Sequence, residues 1–235
     1  MGKILTLLTL MLTLVSCNNT PEQCDSTNTK ELTGTAACTP ESTPPAEDNA
    51  PPIVDVGDVP SEGQLFNANV TLTNFNPAQE EKVLAAIDFI KKIIKTKEFK
   101  ERIYNFTYNG KKQFVDNKGL SNERIYQILL DGAETLIPEV DNEMDLDLEL
   151  YTSNFTSTVG YTYPNVIRIW MNTKYFNNYT VAQVAGNVFH EWSHKLGFEH
   201  ASSYSKSRDS SVPYAIGYLM VELINKELAA QQAGE

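Results

Sequence analysis

HEWSHKLGFEH, residues 190–200, holds all three histidines of the 235-residue chain, spaced as H-E-x-x-H-x-x-G-x-x-H. On a helix His190 and His194 stand one turn apart on the same face, so both imidazoles can reach a single ion. Gly197 follows where a residue of positive φ can end the helix and turn the chain back. That turn can bring in His200 as a third nitrogen ligand, and a Zn²⁺ held by three histidines keeps its fourth tetrahedral position open for water. Glu191, beside the first ligand, is placed to take a proton from that water. At average residue usage, five fixed positions with three rare histidines match by chance roughly once in ten million start points. The stretch therefore predicts a metal site carried on one helix and the turn that ends it.

These residues resemble the extended zinc signature of the metzincin metallopeptidases. The resemblance implies that His190, His194 and His200 hold Zn²⁺, that Glu191 is the general base, and that peptide bonds are hydrolysed. It also implies an α+β, zincin-like single domain: a small mixed sheet with a hairpin next to the active-site helix, plus packing helices. In such folds an edge strand shortly before that helix pairs with extended substrate. The family places a tight methionine-bearing turn beneath the metal, and here the chain departs from it. Ser211-Val212-Pro213-Tyr214 has the serine-valine opening, but proline stands where methionine is expected. Met220, the one methionine after the motif, falls inside the predicted last helix, residues 214–230. Some metzincins place a tyrosine after the turn, which makes Tyr214 the candidate for stabilising the oxyanion. A packing role at the start of that helix is the alternative for Tyr214.

Working back from the motif, Thr180 and Gln183 form a capping-box pair that starts the central helix. Val181, Val184, Ala185, Val188, Trp192 and Leu196 make its apolar stripe, and His190 and His194 project from another sector beside Gly186 and Asn187. Upstream, residues 158–163 and 166–171 read as a hairpin turning at Pro164-Asn165, with Ile167, Ile169 and Met171 on one face. Tyr161, Tyr163 and Trp170 either line the cleft or pack in the sheet. Residues 144–150 alternate strictly, with Met144, Leu146, Leu148 and Leu150 opposite Asp145, Asp147 and Glu149, a strand with one solvated face. Asn76-Pro77 caps an amphipathic helix through Val83, Ile87, Ile90 and Ile94. A second helix is predicted over residues 98–104, a local hairpin at Asn109-Gly110, and a third helix from Ser121 to about residue 134.

The N-terminal part has a different character. Residues 1–16 carry Lys3 and then an apolar run too short to span a bilayer, which predicts a signal peptide. Leu14-Val15-Ser16-Cys17 resembles the lipobox of bacterial lipoproteins, implying lipidation at Cys17 and an envelope location outside the cytoplasm, with the outer membrane favoured. Residues 17–63 hold seven of the eleven prolines and few large apolar groups. Such a stretch cannot offset its ordering entropy by burial and reads as a tether, leaving residues 64–235 as the catalytic domain. Cys24 and Cys38 can pair within that tether. A net charge of −11 makes nucleic acid a poor partner. Peptide or protein substrate and the membrane are the partners expected. Envelope amides such as peptidoglycan cross-links are a second substrate class, and a non-catalytic zinc-containing binding protein is the competing class.

Overall fold

The computed structural model describes residues 65–233. The segments read as signal peptide and tether, with Cys17 and the expected pairing of Cys24 with Cys38, lie outside the described residues. The described chain is α+β, with one four-stranded mixed sheet and six helices. Strands β1 (Asn67–Thr73), β2 (Glu143–Tyr151) and β4 (Arg168–Asn172) are mutually parallel, and β3 (Gly160–Thr162) runs antiparallel to β4 at the sheet edge, giving the order β1-β2-β4-β3. Helices α1 (Pro77–Ile93), α2 (Lys97–Tyr104) and α3 (Asn122–Asp131) connect β1 to β2. The short α4 (Thr173–Phe176) leads to α5 (Val181–Lys195), which carries the first two histidines, and α6 (Val212–Ala233) ends the described chain.

The alternation in β2 explains the layering. Met144, Leu146, Leu148 and Leu150 are buried, as are Ile169 and Met171 of β4, and they share one core with Ile87, Ile90, Val184 and Val188 of α1 and α5. The acidic row on the other face is half-buried and ion-paired: Arg168 bridges Asp147 at 3.0 Å and Glu149 at 2.6 Å, and Asn69 donates to Asp145 at 2.9 Å. Tyr161 stacks on Trp170 (5.1 Å between centroids, 14°), with Tyr151 and Tyr163 edge-on to Tyr161. Tyr161 and Trp170 are register partners, so they share a face, and Gly160 before Tyr161 is turned towards α5. The aromatics therefore pack in the sheet, on the face away from the histidine helix.

Local chemistry sets most element ends. Asn76 accepts from the Gln79 amide at 3.0 Å while Gln79 accepts from the Asn76 amide at 2.9 Å, the reciprocal cap of α1. Thr180 and Gln183 cap α5 in the same way, at 3.2 and 2.9 Å. Asn109 and Gly110 both have positive φ, as a two-residue hairpin turn requires, but the predicted hairpin shrinks to a single bridge between Tyr108 and Lys111. The stacking of Phe106 on Phe114 at 4.1 Å holds that segment by side chains instead.

One element was missed and two sequence expectations are corrected. Strand β1 was not foreseen, although Ala68, Val70 and Leu72 alternate, because its edge position leaves all three only half-buried. The strand read over residues 166–171, with both faces expected to be at least partly covered, begins only at Arg168 and leaves Ile167 47% exposed. Helix α3 stops at Asp131, not at residue 134, because Gly132 adopts φ 72°. A β-carbon on Gly132 would sit 2.2 Å from the Glu143 carbonyl oxygen. Gly132→Ala is therefore expected to cost more than about 2 kcal/mol in denaturant titration, from the left-handed backbone and that contact together.

Candidate metal centre

Helix α5 is buried on nearly all sides, between the sheet, α1 and α6. Its approach to α6 is set by two glycines. A β-carbon on Gly186 would lie 2.4 Å from Val221 Cγ2 and 2.9 Å from the Gly217 carbonyl oxygen. One on Gly217 would lie 3.0 Å from the Gly186 carbonyl oxygen and 3.3 Å from His190 Cβ. Only hydrogen fits at both positions, so the helices cross backbone to backbone and His190 rests directly on α6.

The end of α5 then sends the chain back. Gly197, at φ 85°, donates to the His194 carbonyl at 3.0 Å, and Phe198 donates to the Ser193 carbonyl at 3.1 Å. This paired closure satisfies two terminal carbonyls and reverses the chain. It brings His200 to His190 and His194, with ring centroids 5.2 and 4.9 Å apart. One ring nitrogen from each histidine lies within 4.8 Å of the others, a group that can hold a metal ion.

The second ring nitrogen of each histidine is turned to a backbone carbonyl: Phe198 for His194 at 2.7 Å, Ala201 for His200 at 3.0 Å, and Pro213 for His190. Such contacts fix the Nδ1–H tautomer and leave Nε2 as the metal-facing lone pair. Nε2 of His190 and of His200 is buried with no hydrogen-bond partner among the described residues. The donor set therefore suits a borderline-soft cation such as Zn²⁺. Burial, followed by the neighbouring histidines, pushes His190 well below the usual histidine range and His194 down to about 4, and burial lowers His200. All three are neutral near pH 7, the form that binds a metal.

Around the trio, Glu191 is 1% exposed, and burial raises its carboxyl to about 8 against the opposing charge of Lys195. Lys195, also buried, donates to the carbonyls of Tyr163, Val166 and Arg168 and so ties the β3–β4 turn to the end of α5. Trp192 donates to Glu134 at 2.5 Å, which holds the segment after α3 against the same helix. Tyr214 is 1% exposed, and its ring packs 4.5 Å from His190 and 4.7 Å from His200. The segment that lacks the expected methionine thus still reaches the centre, through the Pro213 carbonyl and the Tyr214 ring. Met220 is buried in the core on α6.

Sequence reasoning missed Arg208, Gly160 and the role of Lys195. Arg208 is buried, with its guanidinium 4.7 Å from the Tyr214 ring. Nothing in its serine-rich surroundings signals that. Gly160 faces the Glu191 carboxylate, a contact that only the packing of β3 on α5 creates.

The chain matches no known protein family and no curated protein.

A pH prediction follows from the carboxyl burial. Glu191 has an ordinary value of 4.5, raised to about 8 in the metal-free fold, so its stabilising contribution belongs to the protonated form and is lost as pH rises through 8. The histidines, lowered from 6.5, contribute oppositely but below pH 6.5. Between pH 6.5 and 8 the melting temperature of chelator-treated protein should fall, and Glu191→Gln should flatten that slope. An unchanged slope in thermal melts of the variant would contradict it.

Proposed function

We propose that this chain is a metzincin-like zinc metalloendopeptidase with a zincin-like catalytic domain. The observation that carries the proposal is the convergence of His190, His194 and His200 with a buried Glu191 one residue from the first ligand. A purely structural metal site has no use for a carboxylate there. The antiparallel edge strand β3, paired only with β4 among the described residues and packed on α5 beside Glu191, supports a peptide substrate. A strand beside the histidine helix is the kind of element to which an extended chain adds by main-chain hydrogen bonds.

His190, His194 and His200 would hold the ion, which when bound supplies Lewis-acid polarisation of the scissile carbonyl and acidification of water. Glu191 takes a proton from the attacking water and delivers it to the leaving nitrogen. Tyr214, packed on two of the ligands, is the candidate for holding the developing oxyanion. The lipobox-like residues 14–17 support a lipid-anchored enzyme of a bacterial envelope, outside the cytoplasm, with the apolar run before Cys17 acting as its signal.

Metal analysis combined with digestion of an unbiased peptide library tests the proposal. Wild type should carry about one zinc per chain and cut peptides. Glu191→Ala should keep the metal and the fold while losing about 10²-fold or more in turnover. Alanine at any of the three histidines should lose the metal as well. Undiminished cleavage by Glu191→Ala would sink the assignment.

A further inference from the structure

Four arginines occur in the chain. Three of them meet carboxylates: Arg102 pairs with Glu222 at 2.7 Å, Arg124 with Asp131 at 3.5 Å, and Arg168 with Asp147 and Glu149 at 3.0 and 2.6 Å. Arg208 is the most buried of the four, and no carboxylate among the described residues pairs with it. Its Nε is buried without a hydrogen-bond partner, and Nη1 reaches only the Ser202 carbonyl, at 3.5 Å. The guanidinium lies over the rings of Tyr204 and Tyr214, 5.2 and 4.7 Å from their centroids. Such ring contacts return only part of what desolvating a lone ion costs, and a ring face offers no lone pair to the N–H groups. In a chain with 30 acidic residues against 19 basic ones, a buried cation left without an anion marks a place for one.

That place adjoins the metal centre. The Tyr214 ring beside the guanidinium also packs 4.5 Å from His190 and 4.7 Å from His200. Burial chiefly, with the Arg208 charge as a smaller cause, disfavours protonation of both histidines. We infer that Arg208 is a specificity residue that takes a substrate carboxylate along the Nε edge of its guanidinium, so that the preferred substrates are peptides with a carboxylate close to the scissile bond. The inference rests on the peptidase proposal and adds its substrate class. The fork of parallel N–H groups matches the two oxygens of a carboxylate, which a neutral side chain cannot reproduce. An acidic side chain flanking the scissile bond and a free C-terminus just beyond it carry this same group, within the ~3.8 Å that separates neighbouring Cα atoms or a small multiple of it. A net charge of −11 repels acidic peptides at a distance, so a preference for them has to come from a local contact of this kind.

The test uses zinc-loaded protein and a peptide that wild type cuts in a library. One arm, amidated at the C-terminus, sets Asp, Glu, Asn or Gln at each position flanking the scissile bond. The other arm shortens the peptide towards that bond and compares a free C-terminal carboxylate with the amide. Wild type should favour the carboxylate member of one arm or of both by roughly tenfold to a hundredfold in kcat/KM, the worth of hydrogen bonds to a charged group. The arm that responds identifies where the carboxylate comes from. Arg208→Met, which fills similar space without charge, should bring that ratio close to one. Arg208→Lys should keep part of it, since the charge stays while the fork is lost. The ratio does not depend on the fraction of a variant that folds. Even cleavage by wild type in both arms, or a preference that Arg208→Met leaves intact, overturns the role of Arg208 while the peptidase proposal stands. Wild type that cuts no peptide overturns the peptidase proposal and this inference with it.

Discussion

The α5–α6 crossing is the contact on which the centre depends. A helix that offers two imidazoles to an ion must be held rigidly on its other sides, since a small roll about its axis would move both ligands together. Gly186 and Gly217 allow backbone-to-backbone contact at that crossing, and His190 Cβ stands within van der Waals reach of α6. The sheet and α1 close the remaining sides through Val184, Val188 and Trp192. Exposed ion pairs such as Arg102–Glu222 and Lys226–Glu98 add lesser links between α2 and α6.

Burial on this scale brings an electrostatic problem, because α5 carries His190, Glu191, Asn187 and Lys195 into low-dielectric surroundings. Each polar group is managed differently. The histidines are held neutral and turned to carbonyls of Phe198, Ala201 and Pro213. Lys195 spends its charge on three carbonyls of the β3–β4 turn, which makes the desolvated ammonium a clamp on the edge strand. Glu191 has no such partners, and its carboxyl is pushed up to about 8. Glu191 Oε2 and Asn187 Oδ1, like Nε2 of His190 and of His200, are buried with no hydrogen-bond partner among the described residues.

Much of this was legible in residue order, for a local reason. Caps, helical stripes and the ligand spacing all act within a few residues, so the starts of α1, α3 and α5, the alternation of β2 and the likeness of Glu191 to a general base can be read directly. The reversal at Gly197 belongs to the same class, since its closing hydrogen bonds reach back no further than Ser193. The misses share a different cause. Helix α3 ends at Gly132, whose left-handed backbone packs against the Glu143 main chain with no room for a side chain. Which of the two open readings of Tyr161 and Trp170 holds likewise depends on which face of a short edge strand meets the helices.

The sequence by itself determined the meeting of the three histidines, because three histidines and one glycine at fixed spacing dictate their own geometry once a helix forms. Only the tertiary structure decided what surrounds them. Gly160, Asn187, Arg208 and Tyr214 come from four separate segments, and their positions follow from how β3, α5 and α6 pack together. Such long-range packing is a property of the assembled core, where each contact is set by the volumes of many side chains at once. No local pattern carries it.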